Sequence, residues 1–190
     1  MSINLSKGQK INLSKEVAGL SKVVVGLGWD AAKKGFFGGH YDIDCDASAI
    51  IIDENEKLLD CVYYGNKSAL NRAVLHHGDN LTGDGDGDDE QITVNLAEMP
   101  QNVNKIVFVV NIYACTQRKQ DFGMIQNAFI RLVDSSTEKE ICKYNLSEKY
   151  AGKTALIFAE VYKHDGEWKF NAIGQGTTDT SISELTKRYK

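Results

Sequence analysis

Along most of this chain apolar and polar residues alternate with a period of two rather than 3.6, the repeat of a strand with one buried face. Val23–Gly28, Ala49–Asp53, Leu58–Tyr64 and Ile92–Leu96 read as short strands. Lys105–Ala114, Ile125–Val133, Glu140–Leu146, Ala155–Tyr162 and Lys169–Gly174 read as longer ones. Ser2–Leu13 reads as a hairpin turning at Ser6-Lys7-Gly8-Gln9, and Asp53–Glu56 and His164–Glu167 are turn sequences between apolar runs. In Ala155–Tyr162, strict alternation puts Leu156, Phe158, Glu160 and Tyr162 on one face. Ala155, Ile157, Ala159 and Val161 fall on the other. Two largely apolar faces suit a strand in the middle of a sandwich. Ser183–Tyr189, with Ser181 or Ser183 as N-cap, is the one convincing helix, and Lys67–His77 adds a helical turn or two. The expected fold is therefore all-β: a sandwich of two antiparallel sheets with long acidic loops and a short C-terminal helix.

Composition narrows this picture. The 190 residues, 42% of them hydrophobic, are enough for one domain with a sizeable core. Pro100 is the only proline and no linker-like stretch interrupts the chain, so a single domain over residues 1–190 is expected. Acidic residues outnumber basic ones 26 to 22, which argues against binding nucleic acid or anionic membranes, since both need phosphate-neutralising Lys and Arg. The first residues carry no apolar signal core, and apolar runs such as Ile106–Val110 are far too short to cross a bilayer. Cys45, Cys61, Cys115 and Cys142 form no CxxC pair and read as reduced thiols packed as small hydrophobes. A cytoplasmic location follows as the expectation.

Two acidic segments break the alternation. In His40–Ser48, Asp42, Asp44 and Asp46 alternate with other residues immediately before an apolar run. In an extended chain their side chains share one side, where like charges repel. In Gly78–Glu90 acids and glycines nearly alternate: Asp79, Asn80, Asp84, Asp86, Asp88, Asp89 and Glu90 supply oxygens, and the glycines let the backbone fold tightly around them. Ca²⁺ takes about 6–8 oxygen ligands from flexible loops, whereas Mg²⁺ keeps more of its water, so calcium is the expected ion. Taken singly, each run also reads as a solvated loop. Two of them beside strands favour a shared site. Neither is an EF-hand. With Asp42 or Asp84 as the first ligand, the sixth position is Ala47 or Asp89 rather than glycine, and strands follow where a helix belongs.

The blocks GLGWD (Gly26–Asp30), YDIDCDASA (Tyr41–Ala49), GDNLTGDGDGDDE (Gly78–Glu90), NAFIRLVD (Asn127–Asp134) and EWKFNAIGQG (Glu167–Gly176) resemble the signature blocks of the TerD family, in order and over nearly the whole chain. The resemblance implies a two-sheet sandwich that binds one or two Ca²⁺ ions through the acidic loops, with Asp30 of the first block joining the ligands. It also implies a part in tellurite resistance and stress responses, with other stress and tellurium-resistance proteins as partners. Peripheral membrane association would come only through such partners.

Three other signals are weaker. Gly26-Leu27-Gly28-Trp29-Asp30-Ala31 fits a G-x-G-x-x-A dinucleotide fingerprint, but Lys33–Gly39 cannot supply the helix that fingerprint needs. Adjacent His76 and His77 point to opposite sides of a strand and read as structural or surface residues. No hydrolase, Walker or zincin motif is present, so the expected function is a calcium-dependent interaction or scaffold module and not an enzyme. The rival reading is an enzyme or thiol-based detoxifier acting directly on oxyanions, through a bound metal as Lewis acid or Cys45 as nucleophile.

Overall fold

The computed structural model describes residues 2–31, 43–78, 87–146 and 148–190. Its strands, in chain order, are β1 (Ile3–Leu5), β2 (Lys10–Asn12), β3 (Lys22–Ala31), β4 (Cys45–Ile52), β5 (Leu58–Val62), β6 (Ser68–Ala69), β7 (Val74–His76), β8 (Glu90–Asn95), β9 (Lys105–Ile112), β10 (Ile125–Asp134), β11 (Glu140–Asn145), β12 (Ala155–His164) and β13 (Glu167–Thr177). Among the described residues, three short α-helices, α1 (Leu13–Glu16), α2 (Cys115–Arg118) and α3 (Ile182–Thr186), and two 3-10 turns, Phe122–Met124 and Lys187–Tyr189, complete it. One sheet has the order β1-β11-β10-β3-β8-β7-β6 and the other β2-β13-β12-β9-β4-β5. All pairings are antiparallel except β1 with β11.

The sheets meet through alternate residues. Val23, Val25, Leu27 and Trp29 of β3 face Cys45, Ala47, Ala49 and Ile51 of β4 and Ile106, Phe108 and Val110 of β9 in one buried cluster. The six-stranded sheet is apolar on its outer face too. There Ile50, Ile52, Val107, Val109 and Ile157 pack under Leu185 of α3. This second layer explains why β4 and β9 read as nearly continuous apolar runs. Ser181 caps α3 by accepting from Glu184 N, as expected of the C-terminal helix.

Three local expectations are corrected. Ser2–Leu13 does turn at Ser6–Gln9, where Gln9 N–H donates to Ser6 O at 2.9 Å, but its two arms are not a hairpin. They enter opposite sheets, because Leu5 and Leu13 are both buried in the core and the turn is tied to β13 through Gly8 N–H to Ala172 O at 2.6 Å. Lys67–His77 is not helical. It forms β6 and β7, joined through Leu70, Asn71 and Arg72, whose φ values of 52°, 53° and 69° are left-handed. Within β12 a bulge between Ile157 and Ala159 reverses the alternation, so Leu156, Phe158, Ala159 and Val161 all reach the main core while Ala155 and Ile157 face α3.

The β10–β11 turn carries a test of acid stability. Asp134 accepts from Ser136 N (2.9 Å), Ser136 Oγ (2.8 Å) and Thr137 Oγ (2.7 Å). The Ser136 amide, then the Thr137 hydroxyl, hold its carboxyl below the ordinary aspartate value. A depressed folded pKa contributes stability that is present above the unfolded pKa of about 4 and is lost as pH falls through the lower folded value. Asp134→Asn is therefore expected to flatten the acid limb of a stability–pH curve below pH about 4. Denaturant midpoints measured across that limb check it, and parallel curves would remove the assignment.

Candidate functional site

The second acidic segment ends by climbing onto β3, and the glycines of GLGWD are what let it. On β3, Leu27 and Trp29 point into the core, so Gly26 and Gly28 face outward beside Arg131 and Phe129 of β10. A Cβ on Gly26 would overlap the Asp88 carboxylate, and one on Gly28 would sit 2.7 Å from Gly87 O. Gly26 leaves room for the Asp88 side chain, and Gly28 for the Phe129 ring and the Gly87 carbonyl. β3 runs straight through them to Ala31, so the dinucleotide-like spacing belongs to a strand and not to a phosphate-binding turn.

Three consecutive acids then take three directions. Asp88 points outward, its side chain 2% exposed, and receives both Arg131 Nε (2.7 Å) and a terminal Arg131 nitrogen (3.0 Å), with Gln91 Nε2 at 3.0 Å. Asp89 turns along the strand: its Oδ2 accepts from Trp29 N at 2.7 Å and its own amide donates to Leu27 O at 2.8 Å. Glu90 points inward, where its Oε2 accepts from Ala47 N at 2.6 Å, at a stretch of β4 that β5 leaves unpaired. His76, fully buried, lies beside it with Nε2 3.2 Å from Ala47 O and 3.4 Å from Glu90 Oε2. Because Gly78 N–H donates to His76 Nδ1 at 3.1 Å, the ring's proton resides on Nε2 and is aimed at those two acceptors. His77, by contrast, is exposed and bonds Thr93 Oγ at 2.6 Å. The two histidines thus point to opposite sides, one buried and one exposed.

Of the remaining expected ligands, Asp30 is exposed on the outer face of β3 and accepts from Asn127 Nδ2 at 2.7 Å, where a bulge at Asn127 (φ 53°) interrupts β10. Asp44 is 3.8 Å from a terminal nitrogen of Arg118. Asp46 lies on the outer face of the six-stranded sheet, buried, and accepts from Asn111 Nδ2 at 3.3 Å. Asp42, Asp79, Asn80, Asp84 and Asp86 lie outside the described residues. The two acidic segments nonetheless meet. The buried Cys45 thiol is pushed well above its usual value by burial and then by the charges of Asp46, Asp44, Glu90 and Asp89, two acids from each segment. Among the described residues no three His, Cys, Asp or Glu side chains are grouped to hold a metal by themselves. None of their helices is long and apolar enough to cross a membrane.

Arg131, Asn127, Ser48 and Asn111 were not singled out by the sequence, and His76 was read as a structural or surface residue without its partners. Arg131 and His76 become legible only through their partners, 43 residues from Arg131 to Asp88 and 29 from His76 to Ala47. Ser48 and Asn111 leave a faint signal, as polar residues inside otherwise apolar strands.

A family profile described as the TerD domain matches residues 1–189. The chain is 55% identical to stress response protein SCP2 of Bacillus subtilis (strain 168), over the whole of both proteins. It is 44% identical to tellurium resistance protein TerD of Serratia marcescens, over 93% of this chain and 91% of that one. The crystal structure of a homologue of telluride resistance protein (TerD) from Streptomyces coelicolor A3(2) superimposes with a TM-score of 0.72 at 19% identity. That match covers 90% of this chain and 99% of the other and reflects the fold. This chain belongs to the TerD family of tellurium-resistance and stress-response proteins.

Proposed function

We propose that the protein is a calcium-binding stress-response module that presents an ordered loop surface to partner proteins when one or two Ca²⁺ ions are bound. The observation that carries this reading is the meeting of two acidic segments, some forty residues apart in the chain, where Glu90 Oε2 of one accepts from Ala47 N of the other at 2.6 Å. The donor set fits the ion: the candidate groups are carboxylates and an amide, with no soft ligand exposed among them. Asp30, Asp44 and Asp89 would hold it together with Asp42, Asp79, Asn80, Asp84 and Asp86. Asp88 acts instead as an anchor, because Arg131 and Gln91 engage both of its oxygens, and Glu90 is anchored through Oε2 by the Ala47 amide. Asp46 is turned towards Asn111. Bound Ca²⁺ neutralises carboxylates that otherwise repel one another. Other stress and tellurium-resistance proteins are the partners such a surface would meet, and membrane association, if any, would run through them.

The thiol-detoxifier reading is weaker. It needs a thiolate, and burial holds Cys45 far above its usual range and Cys61 and Cys142 at about 12.

Calorimetric titration of chelator-stripped protein with Ca²⁺ tests the proposal, with Mg²⁺ as control. The comparison variant is Asp44/Asp84/Asp86→Asn, which spares the two anchors. Micromolar or tighter binding, at least tenfold weaker in the variant and not reproduced by Mg²⁺, is expected, on the order of the affinities of calcium sensors. At a hundredfold excess over the dissociation constant, folding should gain about 2.7 kcal/mol. Equal melting temperatures in calcium and in chelator, with no binding heat, would remove the proposal.

A further inference from the structure

We propose that the outer face of the six-stranded sheet carries a pocket for an organic cation, an alkylammonium or guanidinium group, seated on Asp46, Ser48 and Asn111 and walled by Tyr63, Tyr64 and Tyr113. The cavity holds about 170 Å³ and is closed on its remaining side by the segment leading into α3. It stands apart from the calcium reading and does not depend on it.

The floor is built from β4 and β9. Asp46 and Asn111 face each other across the pair, and the Asn111 Nδ2 donor at 3.3 Å from Asp46 Oδ2 fixes the orientation of the amide. Its Oδ1 is thereby turned to accept, yet it has no hydrogen-bond partner among the described residues, and neither does Ser48 Oγ. Both residues are at least nine-tenths buried: Ser48 is 1% exposed and Asn111 5%. A buried acceptor left unpaired is costly, and the neighbouring part of this sheet face is covered by Ile50, Ile52 and Leu185, whose side chains carry no donor.

The hydrogen-bonding inventory decides the ligand class. A carboxylate and an amide oxygen only accept, so the ligand must donate, and the carboxylate favours one that is positively charged. Anions are disfavoured on both counts. Tyrosine faces attract cations, and Tyr63 and Tyr64 stand edge to face, 5.5 Å between centroids, with Tyr64 and Tyr113 exposed at the mouth. The chain already uses this chemistry at the rim. The Arg118 guanidinium lies 5.5 Å from the Tyr113 ring centre and 3.8 Å from Asp44. A headgroup fits the cavity and a bulky body does not, so the cation arrives at the end of a short alkyl chain: a free amine, or a Lys or Arg side chain of a partner.

The test follows the Asn111 side-chain amide signal in ¹H–¹⁵N spectra during titration with butylammonium and with methylguanidinium. Saturable shifts with roughly millimolar dissociation constants are expected for so few atoms. Tyr113→Ala removes an exposed ring that the core does not use and should weaken binding about fivefold. Ser48→Ala breaks no side-chain hydrogen bond among the described residues and should also weaken binding about fivefold. Comparing 1,4-diaminobutane with Nα-acetyl-arginine amide then tells a free amine from a protein side chain, by which of them binds tighter. An Asn111 signal unmoved by either probe overturns the proposal. So does equal binding by tetramethylammonium, which has no N–H, or by neutral butanol. Ca²⁺ that shifts the same signal and excludes the amine overturns it too, because the pocket would then be a metal site.

Discussion

A Glu90→Leu chain is expected to be less stable than the parent by about 3 kcal/mol, the cost of losing a charge-assisted hydrogen bond and leaving its buried donor unpaired. The Glu90 side chain is fully buried between the sheets. Its Oε2 takes the Ala47 amide at 2.6 Å, and the Nε2–H of an equally buried His76 is directed at the same oxygen and at Ala47 O. One carboxylate therefore serves the open edge of β4, the last residue of β7 and the first residue of β8. Leucine matches its bulk but leaves the Ala47 donor without an acceptor where water cannot reach, and a buried orphan donor alone costs about 1–3 kcal/mol.

Glu90→Gln separates this role from ion binding. The Gln carbonyl can still accept from Ala47 N, so the loss should be about 1–2 kcal/mol, the difference between a charged and a neutral acceptor. Urea denaturation of the parent and both variants in chelator, where no ion contributes, measures the order. Should the Leu variant fall within error of the parent, Glu90 is not an anchor, and its place in the acidic segment would be for binding alone.

The sandwich was legible because period-two alternation reports burial on one face, and most strands of both sheets carry it. It failed where a single residue changes the phase. The β12 bulge cannot be seen in Ala155–Tyr162, since apolar residues fill both faces and leave alternation nothing to mark. Ser2–Leu13 looked like a hairpin because turn chemistry at Lys7-Gly8 is local, whereas the choice of sheet for each arm is made by the distant strands β11 and β13. In the candidate site, composition pointed to the acids as a group and could not divide their labour. Asp88, Asp89 and Glu90 are adjacent and chemically alike, yet one meets Arg131, one the Trp29 amide and one the Ala47 amide. The glycines of GLGWD matched a dinucleotide spacing, set aside for want of a helix, and their real use stayed hidden: a missing side chain shows that something comes close, and not what.

That close approach makes the second large effect. Asp88 is a buried carboxylate on an outer sheet face, and the fork of Arg131 offsets its charge. Arg131→Met keeps most of the aliphatic stem and removes the fork, leaving a carboxylate 2% exposed without its cation, for an expected loss of about 3 kcal/mol. Gly26→Ala should reach the same end by a different route. The new methyl occupies the carboxylate's place, so Asp88 must leave Arg131 or β3 must move from beneath it. If both substitutions act through the one ion pair, the double variant should lose much less than the sum of the singles, a coupling of about 1–3 kcal/mol in a double-mutant cycle. Strict additivity would mean that Gly26 and Arg131 stabilise the strand separately. In that case the glycine would be required by the backbone of Gly87–Asp88 and not by the ion pair above it.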